Sequence, residues 1–387
     1  MIEINNKKNC MGCGACKNIC PQKCIEMKED EEGFLYPTID KDKCIDCHLC
    51  EKICPVLNAK NNEKESLEVY AAVNKNKDVL KNSSSGGVFY ELALKIIEDG
   101  GIVFGAAFNE KLEVQHIGIE KKEDIKKLQG SKYVQSDINN QYEVAKKELE
   151  KGRNVLFSGA PCQIAGLKKY LKKDYDNLIT CDFICTGVPS PKIFKIYRNQ
   201  FIKNNYEIVD IKFRDKKNGW INFGMNFIYK NKNKYINRYK DCYINSFYMH
   251  YTLRPACYDC KFKYLNSQSD IKLADYWLVK QRYPDFYNYN GVSHVLINTK
   301  NGKIFFDTIK EKFKLKKSSY KDVLEDNLSF SKVVEEPKQR EQLFKLIDKD
   351  KDTLKYLKKC VKKSLFQKFH DFTFIYGSNI KYKYLKK

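Results

Sequence analysis

The sequence lacks any apolar run of about 18 residues, the length a membrane-crossing helix needs, so no transmembrane segment is expected. Residues 1–9 are polar and carry no apolar signal core, which predicts a chain that stays cytoplasmic. Histidine is scarce: the five are His48, His116, His250, His294 and His370, none in a recognisable active-site motif. That scarcity argues against a Cys–His nucleophile. No internal repeat is present outside one cysteine pattern, and no nucleic-acid reader motif accompanies the charge, so no nucleic-acid partner is expected. With 42% hydrophobic and 31% charged residues, a disordered chain is excluded. A length of 387 residues allows roughly two or three domains.

Basic residues number 71 against 49 acidic ones, a net +22. The first sixty residues hold nine Lys and ten Asp or Glu, so the remainder carries +23. The lysines are dispersed, as in a chain of biased composition, and the excess suits an acidic partner protein or an anionic surface.

Cysteine is abundant, sixteen in all, nine of them between residues 10 and 54. They read Cys10-x2-Cys13-x2-Cys16-x3-Cys20-Pro21 and then Cys44-x2-Cys47-x2-Cys50-x3-Cys54-Pro55. Three closely spaced thiolates on one loop fit three irons of a cubane. The fourth Cys of each run serves the other cluster. One cluster then takes Cys10, Cys13, Cys16 and Cys54, the other Cys44, Cys47, Cys50 and Cys20. Zinc sites use paired ligands with longer spacers, which this pattern does not show. Gly12 and Gly14 suit a backbone wrapped closely on a cubane, and Cys24 is left over as a small buried side chain. Residues 2–56 resemble a bacterial-type two-cluster ferredoxin, a module that moves single electrons.

Beyond a polar stretch at 57–67, short apolar runs alternate with amphipathic segments. Strands are expected at 69–73, 102–108, 114–119, 155–157, 178–184 and 292–298, and helices at 85–98, 139–151 and 162–172. Residues 208–239 read as an antiparallel insertion. The fold class is therefore an α+β ferredoxin-like two-cluster module (1–57), a linker (58–68), an α/β domain with a mixed sheet (69–310) and a helical, basic C-terminal tail (311–387).

Three glycine-bearing turns stand out: Ser83-Ser84-Ser85-Gly86-Gly87, Gly130-Ser131-Lys132-Tyr133-Val134-Gln135 and Ser158-Gly159-Ala160-Pro161-Cys162-Gln163. The first opens a helix and reads equally as an anion site or as a Ser cap with glycines for packing. The second offers a cation, a ring and an amide to a planar heterocycle with a phosphate. The third lies where a strand becomes a helix, where open α/β sheets bind ligands. Cys162, Cys185, Cys257 and Cys260 each sit at an element end or turn and could converge on a third 4Fe–4S cluster or on zinc, the remaining reading being unligated or redox thiols. Cys181 is an alternative to Cys185, and Cys242 and Cys360 read as isolated structural thiols.

These motifs, with Phe213-Arg214-Asp215-Lys216 and Asp275-Tyr276-Trp277, occur in the order used by one family. The chain resembles the beta subunit of coenzyme F420 (deazaflavin) hydrogenases and dehydrogenases, with a fused ferredoxin module, over residues 2–298. The resemblance implies an oxidoreductase with FAD beside a 4Fe–4S cluster, exchanging hydride with a deazaflavin. Cluster ligands would be Cys162, Cys185, Cys257 and Cys260. Flavin contacts would come from Ser83, Ser84, Ser85, Gly86, Gly87, Gly130, Ser131, Lys132, Tyr133 and Gln135, with Ser158 and Gly159 beside them. Two departures touch the substrate pocket: Cys185-Thr186-Gly187 replaces Cys-His-Gly, and Ala274-Asp275-Tyr276-Trp277-Leu278 replaces Gly-Asp-(Phe or Tyr)-Trp-Gly, with the loss of both glycines. Some relatives occur in bacteria beside genes for surface-glycan synthesis, so the hydride donor or acceptor could be another small molecule. A flavin suits such a chain, because it joins one-electron clusters to two-electron hydride chemistry. The alternative is an electron-transfer module with no substrate of its own, serving a redox partner protein. Residues 355–387, apolar and Lys-rich, would pack on the domain or rest on a membrane surface.

Overall fold

The computed structural model describes residues 1–59, 65–202, 207–263 and 267–362. The expectations for 60–64 within the linker and for 363–387 within the tail lie outside the described residues.

The N-terminal module is two short helices, Ala15–Ile19 and Leu49–Lys52, and an antiparallel pair, β1 (Ile25–Glu29) and β2 (Leu35–Ile39). Ile2, Cys16, Cys24, Ile25, Cys50 and Cys54 form its small core.

The body is an eight-stranded mixed sheet. Its strands are β3 (Glu68–Asn74), β4 (Ile102–Phe108), β5 (Val114–Ile119), β6 (Val155–Ser158), β7 (Leu178–Phe183), β11 (Ile271–Asp275), β12 (Ser293–Ile297) and β13 (Phe313–Lys317), in the order β13-β3-β12-β11-β7-β6-β4-β5. The central strands β4, β6, β7 and β11 are parallel, and antiparallel strands close both sides. Buried on both faces, the parallel strands read as continuous apolar runs, such as Val155-Leu156-Phe157. The intervening β8 (Ile208–Asp215), β9 (Gly224–Tyr229) and β10 (Asn233–Asn237) make the separate antiparallel sheet expected for 208–239.

Helix Val88–Glu98 buries Val88, Leu92, Ala93 and Ile96, one stripe at helical spacing, against one face of the large sheet. It starts three residues later than its apolar pattern suggested, because Gly87 holds φ +83° and the serines before it form a turn. Helices Gln141–Glu150 and Pro161–Leu171 cover the other face, where Ala15 and Ile53 of the N-terminal module join the same core. Each large apolar side chain so buried contributes about 1.5–3 kcal/mol.

The region after residue 310 differs from the expected helical tail in its first element. β13 pairs antiparallel with β3 and extends the sheet edge, Leu315 opposite Ala72. Alternation within Phe-Lys-Leu-Lys-Lys is a two-residue period, which the lysine content disguises. Helices Lys338–Lys345 and Asp350–Cys360 then cover the aromatic core around Phe194, Phe213 and Tyr243.

Candidate metal centres

The structure brings the cysteines of the two runs together in two sets. Cys10, Cys13, Cys16 and Cys54 act on one another electrostatically, with the carboxy-terminal Cys54 delivered to the first run. Cys20 instead lines a cavity with Cys44, Cys47 and Cys50. Burial pushes the Cys13 thiol up to about 12. A thiol this reluctant to ionise in a dry pocket gives up its proton to a metal, so assembly of a cluster releases protons. Cys24 is buried, as expected, but it lines the second cavity and its sulfur lies 3.4 Å from that of Cys20.

A third cysteine set forms in the body. β6 and β7 are neighbouring parallel strands, with Ser158 opposite Cys181. Cys162 follows the end of the first and Cys185 the end of the second, at the carboxyl edge where parallel sheets bind ligands. The turn Pro255–Asp259 brings in Cys257 and its neighbour Cys260, and the four cysteines line one cavity. Its volume is about 520 Å³ including the open mouth. Cys181 is elsewhere, packed in the core with Ile179 and Ile271. The strand ends at Phe183, so the face that Cys181 occupies does not carry through to Cys185.

Burial pushes Cys257 up to about 12, Cys185 to about 11 and Cys162 well above the usual thiol range. Two cations oppose this at Cys185 and Cys260. One is Lys263, which donates to the carbonyls of Cys185 and Ser329. The other is Lys272 on β11, 2.8 Å from buried Asp182. The donor set fits an anionic metal–thiolate group. Among the described residues, no three His, Cys, Asp or Glu side chains converge as ligands of one ion.

Helix Pro161–Leu171 joins this cavity to the module. Proline occupies its first position, where no N–H is needed. Gln163 folds back to accept from Ala160 N at 2.9 Å and donates to Ser136 Oγ at 3.0 Å, which holds the elbow against the second glycine loop. One turn beyond Cys162, the Cβ that Gly166 lacks would stand 3.1 Å from the Cys13 sulfur. Cys13 and Cys162 act on each other electrostatically, and Met11 of the module lines the third cavity.

The expected flavin contacts separate into two groups. Ser84 and Ser131 meet at 2.9 Å between hydroxyl oxygens, and Ser131 N donates to Ser84 Oγ at 2.7 Å. Beside them Lys132 donates to the carbonyls of Gln129 and Gly130, and burial lowers its ammonium to about 8. Nearby His116, which sequence reading passed over, donates from Nε2 to Ser158 O at 3.0 Å. Its buried Nδ1 has no partner among the described residues, an orphan that a bound group could satisfy. The other contacts serve the fold. Ser83 bonds Val79 O, Ser85 bonds Val292 O, and Gly86 packs so tightly on Ala72 and Ser293 that a side chain there would overlap their backbone. Lys216 donates to the carbonyls of Leu80, Ser85 and Asn290, fixing the same turn from behind. Tyr133 stacks on Phe247 with centroids 4.6 Å apart, and Gln135 is buried at the module interface. Gly159 donates to Cys181 O at 3.1 Å.

Residues 152–323 match the model for the carboxy-terminal part of the coenzyme F420 hydrogenase/dehydrogenase beta subunit, and residues 9–58 match the 4Fe–4S dicluster domain. Over those residues the body of the chain is similar to this beta-subunit region. All four body cysteines fall inside the matched beta-subunit region, whereas the turns at 83–87 and 130–135 precede it. A solved F420-reducing [NiFe] hydrogenase complex from Methanosarcina barkeri is similar at 17% identity over 76% of this chain and 91% of that one, with a TM-score of 0.45. No curated protein matches. Among the described residues, no helix is long and apolar enough to cross a membrane.

Proposed function

We propose that this chain is an iron–sulfur flavoprotein oxidoreductase. Electrons pass between a redox partner protein, two clusters in the module, a third cluster at Cys162, Cys185, Cys257 and Cys260, and FAD. When bound, FAD supplies the exchange between single electrons and hydride, with coenzyme F420 or another small molecule as the hydride partner. The observation that carries the reading is the contact of Cys13 with the helix whose first turn bears Cys162. Ser84, Gly130, Ser131, Lys132 and His116 would hold the flavin, and the Lys132 cation would favour an anionic reduced ring.

The spending of Ser83, Ser85 and Gln135 on internal bonds favours a second reading, an electron-transfer subunit without its own substrate. Anaerobic purification with iron, sulfide, zinc and flavin analysis separates these readings. Three cubanes give about twelve irons per chain and two give about eight. Cys162→Ser and Cys257→Ser should lower the count by about four, while Cys181→Ser leaves it unchanged. Wild-type protein with about eight irons and one zinc would remove the third cluster. Flavin-free protein carrying its full iron would select the second reading.

A further inference from the structure

Arg254 is fully buried, yet it belongs to the turn that leads into Cys257. Its guanidinium reaches out of the body into the N-terminal module. Nε donates to Cys10 O at 2.7 Å, Nη2 to Leu35 O at 3.0 Å and Nη1 to Gln135 Oε1 at 3.3 Å. Nη2 also lies 3.5 Å from the Cys10 sulfur, and the guanidinium stacks 4.0 Å from the centre of the Tyr36 ring. Its hydrogen bonds thus go to three neutral oxygens and one sulfur. An arginine does not lose its proton to relieve this, and a buried cation without an anion is costly. Among the described residues, no other charged side chain donates to a cysteine sulfur. Gly12 is shaped to this arrangement. It holds φ +68°, and a side chain there would overlap the Gln135 amide and stand 2.9 Å from Arg254 Nη1.

We propose that Arg254 sets the reduction potential of the cluster held by Cys10, Cys13, Cys16 and Cys54. The missing counter-charge is the iron–thiolate group itself, which is anionic and becomes more so on reduction. Hydrogen bonds to cluster sulfurs and nearby charge set the potential of such centres. A fixed cation stabilises the reduced form, so this cluster lies above the one held by Cys20, Cys44, Cys47 and Cys50. Electrons entering through the second cluster, where Cys47 is exposed, then collect at the first, next to Cys162. Arg254 is a positioning residue, acting through Cys10.

The inference rests on the dicluster reading, which iron content and the wild-type EPR signals report separately. EPR-monitored redox titrations of full-length wild type, Arg254→Met and Arg254→Lys give the test, with iron measured in each. Arg254→Met should lower the midpoint of one module cluster and leave the other in place, and Arg254→Lys should restore part of the shift. Pulsed EPR on wild type labelled with ¹⁵N-arginine should show nitrogen coupling to the higher-potential module cluster; this needs no variant to fold. Two unmoved midpoints in iron-replete Arg254→Met, equal shifts at both clusters, or no arginine coupling in wild type would overturn the proposal.

Discussion

His116 shows how one side chain ties acid sensitivity to the site. Its ring stacks on Phe157 with centroids 5.6 Å apart, and Nε2–H is committed to Ser158 O, at the end of the strand that feeds Cys162. Burial lowers its imidazolium to about 4, with the nearby Lys132 cation adding to the effect. An unfolded histidine titrates near 6.5, so between about 6.5 and 4 the unfolded chain binds the extra proton. Stability from this residue is complete above pH 6.5 and falls as pH drops through that window. At about 1.4 kcal/mol per pH unit, the loss approaches roughly 3 kcal/mol. His116→Gln keeps a donor for Ser158 and should flatten that part of the pH dependence. Urea unfolding at several pH values compares the two slopes, and parallel slopes would show that the proton goes elsewhere.

At the scale of elements, two motifs that sequence order holds far apart become one structure. Arg214, near the end of β8, makes a two-pronged pair with Asp275 at the end of β11, at 2.6 and 2.9 Å. Trp220 Nε1 donates to the same carboxylate at 2.9 Å, and its ring lies parallel to that of Trp277, 5.0 Å between centroids. The pair pins the small antiparallel sheet to the carboxyl edge of the large one. Because both groups are largely withdrawn from water, removing one leaves the other buried and unpaired, a cost of about 3–5 kcal/mol. Arg214→Met and Asp275→Leu should each destabilise by about that amount, and the double variant by clearly less than the sum. Additive losses in denaturant titrations would mean the two groups act independently.

Among the described residues, long-range contacts hold the module to the rest of the molecule. Arg340, in helix Lys338–Lys345, pairs with Glu32 in the β1–β2 connection and donates to Leu253 O at 3.0 Å, next to Arg254. The basic C-terminal helices thereby clamp the module against the turn that carries Cys257. Glu32→Gln should loosen the clamp without touching a metal ligand. Bleaching of the iron chromophore on heating should then begin at lower temperature, while the far-UV dichroism midpoint of the body moves less. Equal movement of both would show that module and body unfold as one unit regardless of this pair.

The cysteine sets of the module were readable in the chain because such loops are local: three thiols within seven residues are held close together, and a repeated run implies the exchange of Cys20 and Cys54. Apolar runs likewise announced the parallel strands, since burial on both faces leaves a continuous signature. Cys162, Cys185, Cys257 and Cys260 were legible as a set but not as a cavity, and only the end of β7 at Phe183 separates Cys185 from Cys181. The serine turn was ambiguous until its hydroxyls were seen bonded to Val79 and Val292. β13 was hidden by its lysines, because an edge strand needs apolar residues on one face alone. Arg254 was beyond reach of any local rule. It stands beside the Cys257 motif, yet its partner Cys10 is 244 residues away, and folding alone brings a cation to a sulfur across that distance.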